Sequence, residues 1–377
     1  MVSKLFKDFF NSEKTGGFIL IFCTALSLLL SNSSFGIGYI NFWETPFQGH
    51  SLTHWINDGL MAIFFLLIGL ELEREVYVGE LSNFKNALFP VLSAFGGVIV
   101  PACIFLFFNY NTPEQSGAGI PMATDIAFAI GMLALLGKRV PPSLKIFLTA
   151  LAVIDDLCAI IIIALFYTSS ISFMYLSLSL GIFVILLILN KLKVNVLTPY
   201  IIGGILMWYF MLHSGVHATL SGVLLAFAIP FQKGEENSIS YQLQHHLHKP
   251  VAFIIVPLFA LANTCILFSN NWQHSLLSRE AIGIIIGLVI GKPLGILLFS
   301  GIAVLLGFCV LPHPLKWKHI FGAGLLAGIG FTMSIFITML AYNQADQINI
   351  GKIAILTASA IAAILGLGVL RFILKRN

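Results

Sequence analysis

Two aspartates stand side by side in a run that is otherwise apolar, Ala150-Leu151-Ala152-Val153-Ile154-Asp155-Asp156-Leu157. A lysine, Lys292, lies in a second such run, and a third aspartate, Asp125, opens another. Holding an ionisable side chain inside a bilayer costs about 3 kcal/mol or more, so groups kept there are candidates for handling ions or protons. Carboxylate oxygens suit a hard cation such as Na⁺. Two neighbouring carboxylates also resist ionising together, so a proton and a sodium ion compete for the same oxygens. If access to that shared seat alternates between the two membrane faces, the competition is antiport. If the two aspartates exchange two protons for one Na⁺, each cycle moves net charge and the membrane voltage can drive it.

Helix geometry separates the two aspartates. Adjacent residues point about 100° apart, so one carboxylate can pair with Lys292 while the other faces a water-filled funnel. Asp155 and Asp156 fall about 12 residues into their run, roughly 18 Å along a helix, and Lys292 about ten residues into its own, which puts all three near mid-membrane. Thr124, Asp125 and carbonyls freed by a broken helix can complete a cation's oxygen shell. Two questions stay open at this level. Asp125 can equally be a structural hydrogen-bonding group, and Lys292 can be a charge balancer or a proton carrier.

The elements that hold these residues are membrane helices. Of 377 residues 58% are apolar and only 10% charged, against about a quarter charged in a soluble domain. Apolar runs long enough for a bilayer core of about 30 Å recur along the whole chain. They give about twelve candidate spans, near 16–32, 55–72, 87–108, 121–136, 143–168, 172–190, 197–213, 216–230, 248–267, 282–304, 319–341 and 353–372. The expectation is one all-α polytopic membrane domain over residues 1–377. With both termini in the cytoplasm, every Lys and Arg falls inside except Arg279 and Lys352 in outer loops and Lys292 within a span, as the positive-inside rule asks. The first apolar run lacks a small-residue cleavage site and reads as a retained span.

Span 121–136 is short and opens on Pro121-Met122-Ala123-Thr124-Asp125, while span 319–341 carries Gly322, Gly324, Gly328 and Gly330 before Thr332 and Ser334. Both read as interrupted helices, the kind of element that builds an ion site from half-helix ends. Gly283, Gly287 and Gly291, spaced by four, read instead as a close-packing stripe. The five cysteines all lie in apolar runs without CxxC spacing, so neither a disulfide framework nor a zinc site is suggested. A metal site at His245, His246 and His248 has no fourth ligand in sight.

Against this background the chain resembles the NhaA-type sodium/proton antiporters of bacteria. The resemblance rests on Ala123-Thr124-Asp125-Ile126-Ala127-Phe128-Ala129, the aspartate run Ala150–Leu157, and Ser214-Gly215-Val216-His217-Ala218-Thr219-Leu220. It continues in Gly291-Lys292-Pro293-Leu294-Gly295 and Gly328-Ile329-Gly330-Phe331-Thr332-Met333-Ser334-Ile335-Phe336. It implies twelve helices in inverted repeats, the fourth and eleventh interrupted and crossing at mid-membrane. It implies Asp156 as the principal ligand for cation and proton, Asp155 as its helper paired with Lys292, Thr124 at the border, and Asp125 balancing half-helix ends. Na⁺ is thus placed at Asp156, Asp155 and Thr124.

The resemblance further implies Na⁺ or Li⁺ efflux driven by proton entry, activation at alkaline pH, the bacterial inner membrane with its lipid, and no cofactor, enzyme activity or nucleic acid. A homodimer is implied through an extended outer segment, here Tyr39–Phe47. The residues matching the family's pH-regulating charges are Glu71, Arg74, Glu75, His245 and His248. Gln244 and Glu73 depart from the best-known members, which carry a glutamate and a lysine there. Asp58 and His217 also match family positions and read as capping or helix-end residues.

Three rival readings remain to be weighed. An intramembrane aspartyl protease takes its two aspartates from different helices, not from adjacent positions in one. An ATP-driven pump needs a phosphate loop, and Gly287-Leu288-Val289-Ile290-Gly291-Lys292-Pro293 lacks both its spacing and its hydroxyl. A proton-coupled transporter of another solute is the rival that composition alone leaves standing.

Overall fold

The computed structural model describes residues 4–168, 171–232, 238–268 and 272–374; of the basic residues used to orient the chain, Lys233, Lys375 and Arg376 lie outside them. The regular elements of the described residues are helical apart from one hairpin of two-residue strands, Pro46–Phe47 paired with His50–Ser51. Among them, seven helices are long and apolar enough to cross a bilayer: Leu52–Tyr77, Phe84–Asn109, Pro142–Phe166, Phe173–Lys191, Ile239–Asn263, Arg279–Leu305 and Ala345–Ile373. Large side chains such as Phe107, Phe173, Leu305 and Phe372 stay exposed on these helices, which water would punish and lipid accepts. The chain is a multi-pass membrane protein.

Both expected interruptions are present. The 3₁₀ stretch Pro113–Met122 and the helix Ile126–Ala134 meet at 40°, and Trp317–Ala327 and Phe331–Ala341 meet at 49°. Two other expected spans are shorter than a bilayer asks: Leu197–Leu212 has 16 residues and Leu220–Ala228 nine. Two expectations need correction. Lys352, expected in an outer loop, is buried within Ala345–Ile373, because that helix starts well before its apolar run. The outer segment Tyr39–Phe47 is helical as far as Glu44, within Gly36–Glu44, and only its last two residues form a strand.

The chain divides into two compact units, residues 1–36, 83–159 and 263–377 in one, residues 37–82 and 160–262 in the other. In the first, Phe84–Asn109 packs along the helix that carries Lys292. The main chains all but touch there: a Cβ on Gly96 would stand 2.1 Å from the Gly295 oxygen, and one on Gly295 2.0 Å from the Gly96 oxygen. The glycine stripe of the sequence faces the same partner, with Gly291 against Pro101 and Gly287 against Pro101 and Pro121. Lipid gives helices no hydrophobic reason to associate, so close backbone approach and dense van der Waals contact must do it.

The second unit is built on the same device. A Cβ on Gly222 would lie 2.1 Å from the Ala62 oxygen, and one on Gly69 2.6 Å from the Ala226 Cβ. Leu66, Leu70, Leu186, Tyr200, Met207 and Leu225 form the apolar core around that contact. Three helices contain π-helical turns that composition does not announce, at Trp55–Leu60, Val251–Ile255 and Gly287–Gly291.

Candidate functional site

The site forms where the two interruptions meet. A helix that stops inside a membrane leaves carbonyls at one end and N–H groups at the other without partners, and these must be satisfied within the protein. Around residues 123–125 the backbone is extended, with ψ of 149° at Ala123 and 99° at Asp125. From there Asp125 N–H donates to the Ile329 oxygen at 2.7 Å, and Thr124 Oγ1 donates to the Ala327 oxygen at 2.9 Å. Each break thus satisfies the other. Gly328 lets this break close on a third element, the π-turn that precedes Lys292: a Cβ on Gly328 would lie 2.4 Å from the Leu288 oxygen.

Asp125 serves two helix N-termini. Its Oδ1 accepts from Phe128 N at 2.9 Å, capping its own helix. Its Oδ2 accepts from Thr332 N at 3.1 Å and from Thr332 Oγ1, capping Phe331–Ala341. An anion at the positive ends of two helix dipoles is favourably placed. Ser359 Oγ accepts from Phe331 N at 3.2 Å, and Ser334 Oγ donates to the Ile120 oxygen at 2.7 Å.

Lys292 does the converse. It follows directly on the π-turn Gly287–Gly291, is fully buried, and donates to the main-chain oxygen of Met122, the last residue of the 3₁₀ stretch. Its Nζ lies 2.9 Å from Asp155 Oδ2. Thr124 Oγ1 lies 2.7 Å from the same oxygen, so its single hydrogen is shared between Asp155 Oδ2 and the Ala327 oxygen. Lysine therefore ties the aspartate helix Pro142–Phe166 to one break, and threonine ties it to both. Among the described residues Asp155 Oδ1 has no hydrogen-bond partner, so that oxygen keeps its capacity to receive a proton or a cation.

Asp156 sits one step round the helix. It is 1% exposed, as is Asp155. The expectation that one of the two faces water is not met in this structure, because Pro142–Phe166 is the most enclosed of the seven long helices. The structure brings together Asp155, Lys292, Thr124 and Asp125 as the sequence suggested. Thr332 entered that reading only as a residue after the glycines, and the Met122 oxygen and Ser359 did not enter it. The pattern Gly-Phe-Thr at a helix restart was the available signal for Thr332, since a hydroxyl in the first turn can reach a neighbouring acceptor.

The residues matched to pH regulation are partly assembled. His248 Nδ1 stands 3.9 Å from Glu71 Oε1, and Arg74 Nη2 3.3 Å from Glu75 Oε1. Gln244 is buried beside Glu71 and hydrogen-bonds it. A glutamine there spares Glu71 a second negative charge. Glu73 is buried, whereas His245 is exposed with its ring against His246. His217 Nε2 is 2.8 Å from the Tyr167 oxygen, a helix-end contact, and Asp58 lies in a π-turn, 3.1 Å from His54. Among the described residues no cluster of three His, Cys, Asp or Glu side chains could hold a resident metal ion.

Comparison with known proteins gives the geometry its context. Over 376 residues the chain is 63% identical to the Na(+)/H(+) antiporter NhaA 1 of Flavobacterium johnsoniae, covering 100% of this chain and 99% of that one. It is 62% identical to the Na(+)/H(+) antiporter NhaA of Cytophaga hutchinsonii over 99% and 97% of the two chains. Identity to the NhaA antiporter of Vibrio cholerae is 48% over 98% of each. The family model described as Na+/H+ antiporter 1 matches residues 7–370, a range that contains both interruptions, the aspartate pair and Lys292. The chain belongs to the Na+/H+ antiporter 1 family.

Proposed function

We propose that this chain extrudes Na⁺ (or Li⁺) in exchange for external protons, as a secondary transporter and not an enzyme, with Asp155 and Asp156 as the seat for which the ions compete. The observation that carries the reading is the position of Asp155, held by Lys292 and Thr124 at the meeting of two interrupted helices. Ion seats built from discontinuous helices are how secondary transporters of this kind bind cations while the surrounding elements rock. Asp156 is the principal ligand, Asp155 the partner of Lys292, Thr124 a neutral oxygen ligand, and Asp125 the balance for the half-helix ends.

On this reading twelve spans in inverted repeats cross a bacterial inner membrane. Two protons enter per Na⁺, so exchange is electrogenic and serves pH homeostasis and salt tolerance. The protein works as a dimer through Tyr39–Phe47, where Phe42 and Phe47 are exposed. Glu71, Arg74, Glu75, His245 and His248 tune activity to pH. The test is Na⁺-induced collapse of a pH gradient in inside-out vesicles. Native protein should collapse it and Asp156→Asn should not. Native vesicles without cation-dependent proton flux would refute antiport; full activity in Asp156→Asn would refute the site while leaving the class.

A further inference from the structure

Three side chains where the hairpin meets Leu52–Tyr77 take no part in the ion seat. They are His50 on the second strand, His54 in the first helical turn and Asp58 in the π-turn. His54 Nδ1 lies 3.1 Å from Asp58 Oδ2, and the His54 main-chain N–H donates to Ser51 Oγ, the cap of this helix, at 3.2 Å. The proton of the ring is thus turned to the carboxylate on Nδ1, which leaves the lone pair on Nε2. Among the described residues Nε2 is buried and has no hydrogen-bond partner. An unpaired polar atom in that position costs free energy until something binds it.

A second imidazole stands over the first. The His50 ring stacks on His54, with centroids 4.2 Å apart and planes 19° from parallel. Two imidazolium ions would repel at that distance, and one carboxylate compensates only one of them, so the stack belongs to neutral rings, each with a free lone pair. His50 is exposed and the His54 side chain is 34% exposed, so solvent reaches the pair by way of His50.

An imidazole whose other nitrogen donates to a carboxylate is what metal-binding histidines present: the carboxylate fixes the tautomer and makes the ligand more basic. Imidazole nitrogen suits zinc, nickel and copper(II), whereas hard cations such as Mg²⁺ take oxygen. Two nitrogens on one tetrahedral zinc stand roughly 3.3 Å apart, a spacing that a small turn of the His50 ring over His54 reaches. His217 also acts on the charge of Asp58, but its Nε2 is engaged with the Tyr167 oxygen at 2.8 Å. Two protein ligands leave the rest of the shell to water, so the ion exchanges. That agrees with the finding that no three-ligand cluster exists among the described residues.

We propose that His50 and His54 form a binding site for a borderline divalent cation, best fitted by Zn²⁺, with Asp58 orienting His54 from behind. The ion clips the hairpin to Leu52–Tyr77, a contact that Trp55 Nε1 already makes by donating to the Phe47 oxygen at 2.9 Å. With the N-terminus in the cytoplasm the hairpin follows the first expected span, and the site opens to the outer face. It is independent of the antiport reading, since it takes nitrogen ligands and shares no residue with the aspartate seat.

The test is calorimetric titration of the full chain in detergent, first stripped with a chelator, using Zn²⁺, Ni²⁺ and Mg²⁺. Native protein should take up one Zn²⁺ per chain, bind Ni²⁺ in competition with it, and give no binding heat with Mg²⁺. Asp58→Asn should weaken Zn²⁺ binding about tenfold, the lower end for losing a carboxylate behind a ligating histidine. His50→Ala and His54→Ala should each weaken it more than that. His246→Ala, at an exposed histidine of Ile239–Pro250, should leave it unchanged.

The proposal is overturned by native protein that takes up no Zn²⁺, by native affinity in either His50→Ala or His54→Ala, by loss of binding in His246→Ala, or by Mg²⁺ displacing Zn²⁺ at equal concentration. His50 is exposed on the hairpin, so His50→Ala decides alone if His54→Ala does not fold. Ion flux is not read in this experiment, so its failure and that of the antiport reading are told apart.

Discussion

Lys292 Nζ stands 2.9 Å from Asp155 Oδ2 and donates at the same time to the main-chain oxygen of Met122. One buried cation thus neutralises a carboxylate and occupies the carbonyl end of a helical stretch that stops inside the protein. Cations belong at such ends, where the helix dipole is negative. The arrangement is stable only as a whole, since removing one partner of a buried pair strands the other.

Lys292→Met should therefore lower stability by about 3–5 kcal/mol. Adding Asp155→Asn should return most of it, because the stranded charge is gone. Thermal unfolding in detergent measures both, and a double variant no more stable than Lys292→Met alone would count against the pairing. The same variants address the role of Lys292 in transport. If cation exchange in Lys292→Met keeps its voltage dependence, the lysine is a structural partner of Asp155 and carries no proton.

Asp125 accepts from the first turns of two helices, and the two contacts are separable. Thr332→Val removes the hydroxyl donor and keeps the N–H, so it should cost about 1.5–2 kcal/mol, the lower range for one hydrogen bond to a charged group. Asp125→Ala removes both caps. At about 1 kcal/mol for each cap, with the loss of an anion at two dipole ends besides, it should cost clearly more than Thr332→Val. Equal losses in chemical unfolding would mean that only one of the two caps matters.

The site was legible in the sequence to the extent that its residues break the rules of their surroundings. Asp155, Asp156 and Lys292 are charges among apolar neighbours, and Gly328 and Gly330 interrupt a helical run. What escaped notice, the role of Thr332 included, obeys those rules. Thr332 and Ser359 are small hydroxyls that membrane helices tolerate anywhere. The Met122 oxygen is main chain and has no sequence signature. The π-turn Gly287–Gly291, which sets the direction of Lys292, depends on a shifted hydrogen bond that composition does not encode. Lys352 was misplaced because the last helix begins at Ala345, well before its apolar run.

Glu71 and His248 face each other at 3.9 Å, with Gln244 beside them. If this pair tunes activity to pH, Glu71→Gln and His248→Gln should each move the half-maximal pH of Na⁺-driven flux, and the double variant should move it no further than the larger single change. Residues acting as one unit are non-additive in this way. His245 is exposed and apart from the pair in the structure, so His245→Gln should move the profile less. Additive shifts from Glu71 and His248 would show that they titrate independently.

The contact between Gly96 and Gly295 gives the sharpest stability prediction. In each, an added Cβ would fall about 2 Å from the main-chain oxygen of the other. A side chain in the way could rotate aside, but a helix carbonyl cannot, so Gly295→Ala must push two helices apart. The cost should reach at least the upper end of the usual overpacking range, about 3 kcal/mol. Gly295 lies three residues beyond Lys292, so the displacement also pulls Nζ from Asp155, and Na⁺ exchange should fall together with stability. Gly301 is the control on the same helix. Nothing lies within 4 Å of its Cβ position, so Gly301→Ala should leave exchange intact and can add up to about 1 kcal/mol through helix propensity alone. Equal thermal stabilities for the two alanine variants would mean that the helices are not held by backbone contact at Gly295.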